Sequence, residues 1–148
     1  MSSPSPTSTP PAASPRPLPG WALPAFRWLT VANAVLIVVQ AFLASQGFWG
    51  SERSLVTGHG HLGNLVFLLV VAQGVLAMLL VTGGQMPRPV LLLAGLTVVL
   101  VVVQIGLGYS TRNDFSITAW HVTNGVLLMG ISAVLATTAW TRQPSADR

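Results

Sequence analysis

Hydrophobic positions fill four long stretches of this chain, and no Asp, Glu, Lys or Arg interrupts them. The stretches cover residues 28–51, 54–87, 89–111 and 115–141. Each is longer than the about 20 residues that an apolar helix needs to cross a bilayer. The pattern predicts four transmembrane helices, over about 26–48, 57–82, 89–110 and 116–140. Within 65–80 and 90–103 no polar face recurs at the helical period, which excludes the half-solvated helices of a soluble bundle.

The two ends of the chain differ from this central region. Residues 1–20 contain seven prolines among Ser, Thr and Ala, and such a composition cannot bury a core. The sequence therefore predicts a disordered cytoplasmic tail over residues 1–24, a transmembrane domain over 25–141 and a second cytoplasmic tail over 142–148. The predicted fold class is all-α, an integral membrane four-helix bundle built from two similar helical hairpins.

The composition supports contact with lipid and excludes several other partners and chemistries. The chain is 51% hydrophobic and only 7% charged, whereas a soluble domain carries about 25% charged residues. The lipid bilayer is therefore the predicted partner. The net charge of +4 comes from scattered arginines, and without a basic cluster no nucleic acid is expected. The chain has no cysteine, which excludes disulfides, thiolate chemistry and cysteine metal sites.

The arginines also predict the orientation of the helices. One side of the membrane receives Arg27, Arg88, Arg142 and Arg148, and the other receives Arg53 and Arg112. Loops rich in Lys and Arg stay in the cytoplasm. Both termini are therefore predicted to be cytoplasmic.

The loop at residues 82–89 divides the chain into two hairpins with matching polar residues. Gln40 matches Gln104 at an offset of 64 residues. A His-x-x-x-Gly pattern then recurs at an offset of 62, at His59–Gly63 and at His121–Gly125. These matches in one order predict the duplication of a two-helix unit. Both hairpins run in the same direction, so an axis along the membrane normal would relate them.

This relation makes His59 and His121 the candidate site. In each helix the glycine, Gly63 or Gly125, follows on the same face one turn deeper and leaves a flat notch. The helix starts put the histidines about 6 Å and about 9 Å inside the outer membrane surface. Two imidazoles over two notches predict a flat apolar ligand, of which a b-type haem is the candidate. Iron with two histidine ligands has no open position, which favours electron transfer over oxygen chemistry.

Other interpretations of these residues remain open. His59 and His121 can be interfacial histidines bonded to loops or headgroups, and the glycines can serve close helix packing alone. His61 is the rival of His59 as a metal ligand, but it lies about 200° around the helix and cannot face the same ligand. Gln40 and Gln104 either bond between helices or contact a bound ligand.

The two Gln…His-x-x-x-Gly hairpins resemble the four-helix half of haem A synthase and related small b-type cytochrome-like membrane proteins. They also look like a family of small bacterial four-helix membrane proteins without an assigned function. The likeness covers about residues 26–140 and implies haem-ligating roles for His59 and His121, in a bacterial inner membrane. The synthase has eight helices and a catalytic Glu before its helix-two histidine, whereas here residues 55–58 are Leu-Val-Thr-Gly. The resemblance implies the fold and a haem, and not the synthase activity.

The sequence thus predicts a polytopic membrane protein that binds one b-type haem between its second and fourth helices. Electron transfer or haem handling, with a redox partner or a membrane complex, is the expected role. The alternative is a cofactor-free structural or accessory membrane subunit. A membrane enzyme ranks third, because residues 54–111 and 115–141 contain no Asp or Glu to act as a general base.

Overall fold

The computed structural model describes residues 18–111, 114 and 116–142, and for Trp49 only the backbone. Over these residues the chain forms four α-helices. They are α1 (Ala22–Trp49), α2 (Arg53–Thr82), α3 (Arg88–Ser110) and α4 (Ile117–Thr141). The predicted all-α four-helix bundle is confirmed. Each helix is long and apolar enough to cross a membrane, and the chain is accordingly a multi-pass membrane protein.

The helices form a closed ring in which each one packs against two others. The neighbouring pairs are α1 with α2, α2 with α3, α3 with α4 and α1 with α4. The helices α2 and α4 therefore lie on one diagonal of the bundle. The outward faces expose large apolar side chains such as Phe42, Leu68 and Leu92, which only a lipid environment makes favourable. The inward faces carry the buried residues.

Two helices begin earlier than the hydrophobic pattern predicts. The predicted tail through residue 24 is wrong at its end, since α1 begins at Ala22. Pro24 falls in the first turn of α1, where its missing N–H has no helical acceptor to lose. The helix α2 begins at Arg53, four residues before the predicted start. The charge of Arg53 interrupts the hydrophobic stretch, but a charged side chain does not prevent the backbone from being helical. Residues 1–17 and 143–148 of the predicted tails lie outside the described residues.

Two apolar layers fill the inside of the bundle. The end that carries both termini, called here the terminal end, holds the cluster Ala22, Phe26, Ala77, Leu80, Met86, Val90, Ala94, Leu135 and Ala139. The middle apolar layer consists of Ile37, Val66, Val70, Val101 and Leu128. Buried polar side chains lie on both sides of this middle layer. On its far side lies the other end of the bundle, called the histidine end.

At the terminal end, α1 is tied to the last turn of α4. Arg27 donates from Nε to the carbonyl oxygen of Ala139 at 2.8 Å, which satisfies a carbonyl that the helix itself leaves unpaired. The Trp140 indole N–H donates to the carbonyl of Arg27 at 3.2 Å. Trp28 packs edge-on against Trp140, with ring centroids 5.3 Å apart. These contacts fix the register between the two antiparallel helices.

At the histidine end, Gly47 lets α1 approach α2. A Cβ added at Gly47 would lie 2.8 Å from Cγ2 of Val56 and 2.9 Å from its backbone nitrogen. Both distances are below van der Waals contact, so only a glycine permits this spacing of the two helices. The hydrophobic pattern contains no signal for Gly47.

Candidate functional site

The histidines of α2 and α4 meet across the diagonal of the bundle. The ring centroids of His59 and His121 are 6.1 Å apart and their planes are inclined by 77°. Both side chains are half-buried. A metal–imidazole bond is about 2 Å long and the ring centre lies about 1 Å behind the nitrogen, so two imidazoles on opposite sides of one ion have centroids about 6 Å apart. The observed separation is close to this value, and it is equally the distance of a direct edge-to-face contact between the two rings.

A backbone carbonyl holds the His59 ring. Its Nδ1 lies 3.1 Å from the carbonyl oxygen of Gln40 on α1. A carbonyl only accepts hydrogen bonds, so Nδ1 carries the ring proton and Nε2 keeps its lone pair. This is the arrangement that metal-binding histidines use, with one nitrogen tied to an acceptor and the other available to the metal.

A chain of side-chain hydrogen bonds between α3 and α4 holds the His121 ring. Asn124 donates from Nδ2 to the carbonyl oxygen of Leu100 at 2.9 Å and to Oε1 of Gln104 at 2.7 Å. The oxygen of the Gln104 amide faces Asn124, so the amide nitrogen of Gln104 faces the His121 ring. The distance from Nε2 of Gln104 to Nε2 of His121 is 3.2 Å. An amide NH₂ only donates, so Nε2 of His121 accepts and its proton is on Nδ1. In both histidines, therefore, Nε2 carries the lone pair.

Gly108 on α3 makes room for the His121 ring. A Cβ added there would lie 3.1 Å from Cε1 and 3.4 Å from Nδ1 of His121. That Nδ1 is buried and has no hydrogen-bond partner. The signal for Gly108 in the sequence is its position four residues after Gln104, on the same face of α3, outside the predicted site.

The two glycines of the repeated pattern lie under glutamine amides. A Cβ added at Gly63 would lie 3.1 Å from Nε2 of Gln40, and one added at Gly125 would lie 3.2 Å from Nε2 of Gln104. The sequence predicts an open notch at each glycine. In the structure a glutamine amide from the neighbouring helix packs over each glycine instead. The Oε1 of Gln40 is buried without a hydrogen-bond partner.

The donor set limits which metal centre could form here. His61 is exposed, and no group of three or more His, Cys, Asp or Glu side chains comes together among the described residues. Two imidazoles alone leave most of the coordination positions of a bare ion unfilled. A porphyrin brings four nitrogens of its own and needs two axial ligands. The residues fit a haem, provided that the Gln104 amide leaves Nε2 of His121.

Comparison with known protein families, with curated proteins and with solved structures finds no match to this chain. The resemblance to haem A synthase therefore rests on the hairpin residues alone.

Proposed function

We propose that the protein binds one b-type haem between α2 and α4, and that His59 and His121 would hold its iron. The observation that carries the proposal is the 6.1 Å separation of the two ring centroids. When bound, the haem would supply a one-electron redox centre. Two histidine ligands leave no open position on the iron, so the proposed role is electron transfer or haem handling.

The two histidines would contribute differently to the site. The carbonyl of Gln40 orients the His59 ring through Nδ1 and leaves the lone pair of Nε2 available to a metal. Nε2 of His121 accepts a hydrogen bond from Gln104. This bond occupies the lone pair that a metal would need. Gln104 thus holds the His121 ring in the haem-free protein, and its amide would have to move aside for a haem to bind.

Two further proposals concern the origin and the orientation of the bundle. The Gln–Gly contact recurs in both hairpins with nearly equal spacing, 3.1 Å at Gly63 and 3.2 Å at Gly125, which supports duplication of a two-helix unit. The excess of arginine at the terminal end supports cytoplasmic termini, and the resemblance implies a bacterial inner membrane.

A second candidate function is a cofactor-free structural or accessory membrane subunit. The observation that favours it is the packing at the glycines, since the amides of Gln40 and Gln104 already occupy the place above them. In that case His59 and His121 serve only to join helices through hydrogen bonds.

Visible absorption spectra of purified variants separate the two functions. We expect a Soret band in the wild-type protein, in His61→Ala and in no variant that lacks His59 or His121. Added imidazole should restore the band in His59→Ala, because it replaces the missing ligand. A circular dichroism spectrum checks that each variant is folded. Equal spectra for His59→Ala and His61→Ala would overturn the assignment of His59.

A further inference from the structure

Besides Thr30, which bonds to the carbonyl of Arg27 on its own helix, each helix carries one buried polar side chain between the middle apolar layer and the terminal end. Each of these four side chains exposes no more than 1% of its surface. They form the central polar layer, which consists of Asn33, Gln73, Thr97 and Ser132. The haem proposal uses none of them.

The register of α1 and α4 brings two of these residues together. Arg27 bonds to the carbonyl of Ala139, and the helices are antiparallel. Six residues further along α1, Asn33 therefore lies at about the level of residues 132 and 133 of the neighbouring α4, since each residue rises about 1.5 Å in both helices. Both side chains point into the bundle, as their burial shows.

Each of these two side chains carries a buried polar atom without a hydrogen-bond partner, Oδ1 of Asn33 and Oγ of Ser132. The Asn33 amide nitrogen donates to Oε1 of Gln73 at 2.7 Å, which fixes the amide orientation and leaves Oδ1 as the open acceptor. Most buried hydroxyls in helices bond to the carbonyl four residues earlier, as Thr97 does with Leu93 at 2.8 Å. Ser132 does not use that carbonyl.

We infer that the central polar layer binds a water molecule between Oδ1 of Asn33 and Oγ of Ser132. Unpaired buried polar atoms are costly, and internal waters in proteins bind to such atoms. Asn33 offers only an acceptor, and the hydroxyl of Ser132 offers a donor and an acceptor. A water molecule can donate one hydrogen bond to Oδ1 of Asn33 and accept one from the hydroxyl of Ser132. A cation is a poorer occupant, because all four side chains are neutral.

The middle apolar layer isolates this water from the histidine end. Val70 and Val101 belong to that layer and are at most 2% exposed. Water-mediated proton transfer between the central polar layer and the histidines would have to cross this dry region. The bound water is therefore a fixed part of the bundle, and not one link of a channel.

Water-edited solid-state NMR of the protein in bilayers tests the inference. Magnetisation from water should reach the side chains of Asn33 and Ser132 faster than those of Val70 and Leu135, which flank the layer. In Ser132→Ala the transfer to Asn33 should slow down. Build-up at Asn33 as slow as at Val70 in the wild-type protein would overturn the inference.

The direction in which Ser132→Ala shifts the unfolding midpoint gives a second test. If water joins the two atoms, Ser132→Ala lowers the midpoint, and the same change in an Asn33→Leu background has a smaller effect. If Oγ of Ser132 is dry and unpaired, Ser132→Ala raises the midpoint in both backgrounds, which contradicts the inference. Replacing sodium by choline should leave the midpoint unchanged, and a sodium-dependent rise would identify a cation instead.

Discussion

Replacing Gln104 by leucine should destabilise the haem-free protein and strengthen haem binding. The variant loses the 2.7 Å bond from Asn124 and the 3.2 Å bond to His121. Hydrogen bonds between membrane helices contribute about 0.6 kcal/mol on average and up to about 1.7 kcal/mol. Asn124 keeps its bond to the carbonyl of Leu100, which limits the loss. We expect the free energy of unfolding to fall by about 1–2 kcal/mol.

The effect on haem binding has the opposite sign, because the haem must displace the amide of Gln104 from Nε2 of His121. Without the amide, that cost disappears. The bond is long, so a contribution near 0.6–1.4 kcal/mol corresponds to about a threefold to tenfold gain in haem affinity.

Two titrations measure both effects. Unfolding of the haem-free protein by SDS in mixed micelles gives the stability, and haem titration followed at the Soret band gives the affinity. Gln46→Leu is the matched control, since Gln46 is an exposed residue near the end of α1, and it should change neither quantity. The reasoning is refuted if Gln104→Leu is as stable as this control, or if it binds haem more weakly than the wild-type protein.

Three further predictions concern other parts of the chain. Gly47→Ala should be about 1–3 kcal/mol less stable than Gly106→Ala in SDS unfolding, because only the former adds a Cβ against a neighbouring helix. The pKa of Asp114 should lie below 3.8, because Ser116 bonds to its carboxylate through side chain and backbone. A lowered pKa means that the ionised Asp114 carboxylate stabilises the folded state. This contribution is present above the unfolded-state pKa and is lost as the pH falls through the folded-state pKa. NMR titration should show Ser116→Ala moving the pKa back toward 3.8. Reporter fusions at the C-terminus should read cytoplasmic and fusions at residues 51–54 external, and the reverse would contradict the orientation.

The fold could be predicted because the bilayer restricts what an apolar stretch can form. Length and the absence of charge define the four helices, and the short connections make neighbours antiparallel. The ends of the helices were less predictable. The helix α2 begins at Arg53, whereas the apolar pattern predicts that it begins near residue 57. Local chemistry, and not hydropathy, decides where a helix starts.

The packing inside the bundle was harder to predict, because every helix is apolar on all sides. Hydrophobicity therefore gives no signal for the face that turns inward. Buried polar residues such as Asn33 and Thr97 carry that signal, as both face the interior. The contact between the Gln104 amide and Gly125 depends on the distance between α3 and α4. The sequence pattern of a single helix contains no information on that distance.

The central claim is that His59 and His121 together hold one haem. The most direct measurement is the haem content and visible spectrum of this chain, purified from cells supplied with ample haem. We expect one haem per chain, with the low-spin electron paramagnetic resonance signal of iron bound by two histidines. A purified, folded protein without a Soret band would contradict it and would leave the histidines as residues of helix packing.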